Sequence, residues 1–103
     1  MEISTGRPVT PATRGMVTSP HSLASSAGVD VLRAGGSAID AAIAASAMLS
    51  VVYPHMTGVG GDAFWLIHDG RSGEVEYLNG GGKAASSASL ASMQARAPSV
   101  VTM

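Results

Sequence analysis

The apolar positions of the chain fall into successive runs with different periods. From His21 to Ala34, Leu23, Ala24, Ala27, Val31 and Leu32 recur at spacings of one, three and four, which sets them along one side of a helix. Gly28 lies inside that stretch and weakens the helix by up to about 1 kcal/mol relative to alanine. Ala38 to Val52 is apolar except for Asp40, Ser46 and Ser50. The second helix it predicts is therefore apolar nearly all the way round and needs cover on several sides. Ala63 to His68 is a near-continuous apolar run bounded by turn residues, the pattern of a strand covered on both faces. Glu74-Val75-Glu76-Tyr77-Leu78 alternates, as a strand with one wet face does.

The residues between these runs set their limits. Gly15 to Ser19 reads as a short strand, and Pro20 ends it because proline cannot donate to a sheet ladder. Arg33-Ala34-Gly35-Gly36 is the sequence of a helix end, with a cation in the last turn followed by a glycine able to adopt a left-handed cap. Ser37 then serves as the N-cap of the second helix, with Asp40 three residues on in a variant of the capping box. A helix hairpin follows from these two signals. Asp69-Gly70-Arg71-Ser72-Gly73 joins the two strands as a hairpin loop. Two glycine-rich loops, His55 to Asp62 and Asn79 to Lys83, flank that hairpin, and Ser86 to Ser89 caps a last short helix that ends before Pro98. The expected organisation is a flexible lead-in over residues 1–13, a partial domain over 14–97 and a tail over 98–103. The fold class expected is α+β.

Composition changes this picture in one respect. The apolar fraction is 46%, but it rests on small and aliphatic side chains, with Tyr53, Phe64, Trp65 and Tyr77 as the aromatic residues. A domain of 103 residues buries only about 60 to 65 per cent of its unfolded surface. Thirteen glycines add to the backbone entropy that folding must overcome, about 1 to 2 kcal/mol per residue. A nearly all-apolar helix in so short a chain reads as one layer of a larger body. The net charge of −1 provides no basic stripe, so nucleic acid is not an expected partner. Ala38 to Val52 is shorter than the ~20 residues that span a bilayer, and Asp40 opposes insertion, so no membrane is expected either. Without a signal-peptide pattern at Met1 to Thr5, the default location is cytoplasmic. The chain has no cysteine, which removes thiol nucleophiles and thiolate metal sites. His21, His55 and His68 match no metal spacing and read as cap, turn or strand-end residues, so neither a metal nor a cofactor is expected.

Three blocks of the sequence resemble the gamma-glutamyltransferase family, in the family's order. Arg14-Gly15-Met16-Val17-Thr18-Ser19-Pro20-His21-Ser22-Leu23-Ala24-Ser25 is similar to its opening strand. Leu32-Arg33-Ala34-Gly35-Gly36-Ser37-Ala38-Ile39-Asp40-Ala41-Ala42-Ile43-Ala44-Ala45 is similar to its helix hairpin. Val52-Tyr53-Pro54-His55-Met56-Thr57-Gly58-Val59-Gly60-Gly61-Asp62-Ala63-Phe64 looks like the Pro-His and double-glycine signature before its central strand. The resemblance covers roughly Arg14 to Ala85, a minor part of a usual member. It implies the N-terminal part of a large subunit within a four-layer αββα sandwich of the N-terminal-nucleophile type, made as a self-cleaving precursor. It also implies the reaction: a threonine freed at the start of a small subunit attacks a gamma-glutamyl carbonyl, as in glutathione, and its own α-amine takes the proton.

The six threonines here, Thr5, Thr10, Thr13, Thr18, Thr57 and Thr102, are all internal to the chain, and none lies in a matching cleavage motif. The expectation is therefore that no catalytic residue lies in this chain. The expected partners are the remainder of the large subunit and the small subunit with its threonine nucleophile, and the fragment alone is expected to be inactive. By resemblance, the large subunit supplies an arginine, in the loop after the hairpin, that grips the α-carboxylate of the glutamyl group. The loop here reads Leu78-Asn79-Gly80-Gly81-Gly82-Lys83-Ala84-Ala85, so Lys83 is the candidate substrate ligand. A lysine lacks the two-pronged guanidinium contact. The alternative for Lys83 is a solvated loop cation. The Gly58 to Asp62 loop lacks the Gly-Lys-Ser/Thr ending of a phosphate loop and reads as a turn. Asp40 reads as a cap, and Thr57 and Ser19 have no adjacent activating base. A different class of function is also open: a non-catalytic remnant or interaction module that packs against a partner through its Ala-rich helix.

Overall fold

A computed structural model of the chain describes residues 9–96. The chain divides into two compact units, Met1–Gly60 and Gly61–Met103. The expected tail, and residues 1–8 of the expected lead-in, lie outside the described residues.

The first unit is a helix hairpin. Helix α1 spans Ser22–Arg33 and helix α2 spans Ala38–Val52. The N-cap of α1 is His21, whose Nδ1 accepts a hydrogen bond from the Leu23 N–H at 3.2 Å. Ser19 braces the same end: its Oγ donates to the His21 carbonyl at 2.8 Å and lies 2.7 Å from Ser25 Oγ. The helix stops because Gly35 turns the backbone to a φ of 92°, which lets Gly36 N–H reach the Val31 carbonyl and Gly35 N–H the Leu32 carbonyl. Ser37 then opens α2 with a full capping box: Asp40 N–H donates to Ser37 Oγ, and Ser37 N–H donates to Asp40 Oδ2 at 2.8 Å.

The core of this unit is made of the smallest side chains. Ala24, Ala41 and Ala45 are buried, and Gly28 is buried with them. A Cβ on Gly28 would lie 2.8 Å from Val17 Cγ1 and 3.0 Å from the Ala41 carbonyl oxygen, so a glycine here lets the two helices approach. The larger apolar residues of α2 point elsewhere: Ile39, Ile43 and Val51 are exposed. Gly15 to Ser19 corrects one expectation. The segment forms no strand, because a strand exists only by bonding a neighbour and no described residue offers it a ladder.

The second unit is a β-hairpin followed by a short helix. Strands β1 (Ala63–His68) and β2 (Val75–Gly80) pair antiparallel, with Ala63 opposite Gly80 and His68 opposite Val75. The second strand runs to Gly80 rather than Leu78, because Ala63 and Phe64 continue the ladder onto Gly80 and Asn79. The loop is fixed by Asp69, whose Oδ1 accepts from Arg71 N–H at 2.8 Å, and by Gly73 at a φ of 74°. The register places Trp65, Ile67 and Leu78 on one face and Phe64, Leu66, Val75 and Tyr77 on the other. Both faces are thus largely apolar, with Glu76 on the first and His68 and Asn79 on the second, yet β2 is exposed at every position and β1 is at most half-buried. Covering one large apolar side chain is worth about 1.5–3 kcal/mol, so this hairpin carries surface that a larger fold has use for. Helix α3 (Leu90–Arg96) follows, with Ser89 Oγ accepting from Ser92 N–H.

Candidate functional site

The glycine loop after β2 is held by the residues that surround the hairpin's open end. Asn79 Oδ1 accepts from Gly81 N–H at 2.9 Å, a local turn that bends the chain as soon as the ladder ends. Asp62 Oδ1 accepts from Gly82 N–H at 2.7 Å across a separation of 20 residues. The glycines give the room for this: a Cβ at Gly80 would meet the Ala63 carbonyl oxygen at 2.8 Å, and one at Gly81 the Phe64 ring at 3.4 Å. Lys83 follows directly and is exposed. It accordingly stands at the end of a fastened loop, with its own side chain in solvent.

The remaining candidates are held by structural roles. Thr57 Oγ1 donates to the Tyr53 carbonyl at 3.3 Å, and Ser19 is engaged at the start of α1, so neither hydroxyl faces a base among the described residues. The Asp40 carboxyl is held below its ordinary value of 3.8 by the Ser37 hydroxyl first and the Ser37 N–H second. That is the electrostatics of a cap rather than of a catalytic acid. His21 is an N-cap, His55 lies against Tyr53 with ring centroids 4.2 Å apart, and His68 ends β1. Among the described residues no three His, Asp or Glu side chains gather in a way that could hold a metal ion.

A groove of about 370 Å³ runs in the first unit between the Met16–Pro20 segment and the helices, bounded by Val17, Leu32, Ala41, Ala45 and Leu49. No titratable side chain lines it, so it offers shape without acid–base chemistry. In the loop before β1, Gly60 takes a φ of 81°, and the loop ends at Asp62. Sequence reasoning placed that loop as a turn but missed the bond from Asp62 to Gly82. The signal was available only through the hairpin register, since pairing Ala63 with Gly80 sets Asp62 opposite Gly81.

Comparison with known proteins meets this geometry from outside. The family described as Gamma-glutamyltranspeptidase matches residues 24–101. The chain is 56% identical over 71 residues to the glutathione hydrolase-like YwrD proenzyme of Bacillus subtilis (strain 168), covering 69% of this chain and 14% of that protein. It is 59% identical over 56 residues to the oxamate amidohydrolase proenzyme of Klebsiella pneumoniae, covering 54% of this chain and 11% of that one. Among solved structures, Helicobacter pylori gamma-glutamyltranspeptidase matches with a TM-score of 0.72 at 40% identity, over 80% of this chain and 23% of that chain. The transpeptidase enzyme CapD of Bacillus anthracis matches with a TM-score of 0.66 at 28% identity, over 89% of this chain and 34% of that chain. The α+β arrangement of helix hairpin and β-hairpin is therefore that of the N-terminal-nucleophile gamma-glutamyltranspeptidases, of which these residues span a minor part. No helix among the described residues is long and apolar enough to cross a membrane. On the matched residues and the shared fold, this chain belongs to the gamma-glutamyltranspeptidase family.

Proposed function

We propose that the chain is the N-terminal part of the large subunit of an enzyme that cleaves gamma-glutamyl amides such as glutathione, and that Lys83 binds the α-carboxylate of the glutamyl group. In this reading the threonine nucleophile lies outside these 103 residues, at the start of a small subunit released from the same precursor. Its hydroxyl oxygen attacks the γ-carbonyl while its α-amine takes the hydroxyl proton. The proton passes to the departing amine, and water or an acceptor amine then opens the acyl ester. The observation that carries the reading is the coincidence of family match and unfinished packing. The hairpin has two apolar faces, and the described residues leave Phe64, Leu66, Tyr77 and Leu78 exposed. A strand pair of that kind suits the middle of a layered fold rather than its surface.

The location of Lys83 supports its role without any catalytic duty. A primary ammonium at the end of a tethered loop is a point charge suited to a carboxylate, with less directional selectivity than a guanidinium. The name of the Klebsiella relative widens the substrate question usefully, because oxamate also presents a carboxylate beside an amide. Expression of the full-length precursor, followed by assays with a gamma-glutamyl anilide and with oxamate, decides the matter. The expected result is processing into two chains and turnover of the anilide, with none from these 103 residues alone. Lys83→Ala raises KM and Lys83→Arg lowers it. Equal KM for all three proteins removes Lys83 from the site, and turnover by the isolated chain overturns the assignment of the nucleophile to another segment.

A further inference from the structure

We propose that Asp62 is a positioning residue for the substrate site: its carboxylate fastens the glycine loop and so fixes where Lys83 presents its ammonium. The proposal rests on the assignment of Lys83 as the ligand of the substrate carboxylate. Asp62 Oδ1 lies 2.7 Å from Gly82 N, and the two residues are 20 apart in sequence. No other side-chain hydrogen bond among the described residues joins partners more than six apart. The ladder ends at the pair Ala63 and Gly80, which is where a hairpin is free to fray. Asp62 adds one more cross-strand bond beyond that end, through a side-chain oxygen that accepts from the Gly82 N–H.

The loop needs such a bond because it has no stiffness of its own. Three consecutive glycines have the widest backbone freedom of any residues, and the lysine stem adds four rotatable carbons beyond them. The protein can determine only where the Lys83 backbone sits, and two tethers do it. Asn79 takes the Gly81 N–H and Asp62 takes the Gly82 N–H, so the chain is bonded at the residue immediately before Lys83. A Cβ on Gly82 would stand 3.3 Å from Asp62 Oδ1, so the carboxylate lies close against the glycine as well as bonding it. A negative charge at Asp62 does not itself favour an anionic ligand nearby. Its value to the site is then as an acceptor, and an isosteric amide preserves that.

The test uses the full-length, self-processed protein. Asp62→Ala is expected to raise KM about tenfold, with kcat falling less than about threefold, since a ground-state binding contact is what becomes misplaced. Asp62→Asn, which keeps an oxygen acceptor at the same place, recovers that loss. In a Lys83→Ala background Asp62→Ala adds less than about twofold, because the two residues act through one contact. Additive effects, an unchanged KM in Asp62→Ala, or an Asp62→Asn protein as impaired as Asp62→Ala would each overturn the proposal. Amide hydrogen exchange in the peptide containing Gly82 provides a readout independent of activity: exchange accelerates in Asp62→Ala and returns in Asp62→Asn. Unchanged exchange shows that Asp62 does not fasten the loop. If the wild-type protein turns over neither the anilide nor oxamate while exchange at Gly82 still responds, the Lys83 assignment fails, and the positioning role falls with it.

Discussion

Replacing Gly28 by alanine sets two opposing magnitudes against each other. Alanine is favoured over glycine in a helix interior by about 1 kcal/mol, so propensity alone makes the variant more stable. The new Cβ, however, would lie 2.8 Å from Val17 Cγ1, 3.2 Å from Val17 Cγ2 and 3.0 Å from the Ala41 carbonyl oxygen. Val17 is half-buried and can swing aside at a modest rotamer cost. The Ala41 carbonyl cannot, because it is main chain of α2, and Ala41 is only 2% exposed. Relief therefore requires the helices to part, which loosens the contact among Ala24, Ala41 and Ala45. Overpacking of this kind costs about 1–3 kcal/mol, so the net expectation is a loss of about 1 kcal/mol. Hydrogen exchange of the α1 and α2 peptides in the full-length protein measures it, with an expected acceleration of about fivefold for Gly28→Ala. Adding Val17→Ala removes the side-chain half of the clash and leaves the carbonyl half, so protection recovers only in part. A Gly28→Ala protein better protected than wild type would refute the reasoning, for it would mean the helices were not in close contact at this point.

Other expectations follow from single contacts. The Asp40 carboxyl is held below 3.8 by Ser37, so its contribution to stability is fully present above about that pH and is lost as pH falls through the lower folded value; acid titration of wild type against Asp40→Asn measures this as a stability difference that stays constant above the ordinary carboxylate range and shrinks only as the pH falls below it. Gly35→Ala forces a side chain onto a φ of 92° where nothing crowds it, so the cost is purely conformational, about 1–2 kcal/mol, and Gly35→Asn costs less; thermal unfolding ranks the two. The isolated 103-residue chain is expected to bind a hydrophobic dye that the full-length protein does not, because Phe64, Leu66, Val75 and Tyr77 form one open apolar face.

The local signals were legible because each is written within a few residues. The glycine stop at Gly35, the capping box of Ser37 and Asp40, and the hairpin loop at Asp69 all operate through bonds of short sequence range. Each can be read without knowing what lies elsewhere in the fold. Gly15–Ser19 departs from the strand its residues suggest for the opposite reason: β-propensity expresses suitability for a pleated surface, and whether a ladder forms depends on a neighbour that the segment's own residues do not specify. His21 gave a weaker signal as a cap than serine or aspartate would, although its Nδ1 performs the same acceptor role.

The loop at the hairpin's open end shows why a site is harder to read than an element. Asp62 and Gly82 come together only if β1 and β2 pair in one register, and a slip of one residue would also exchange the two faces of every side chain. Polarity penalises such a slip only weakly here, because Phe64, Leu66 and Tyr77 on one face and Trp65, Ile67 and Leu78 on the other are apolar, and each face also carries a polar residue, Asn79 on the first and Glu76 on the second. The hydrophobic pattern that normally selects a register is thus weak in this hairpin. Selection falls instead to the Asp69 turn at one end and to the Asp62–Gly82 bond at the other. The contact proposed to place Lys83 is therefore also one of the two that hold the strands in the alignment on which the loop depends.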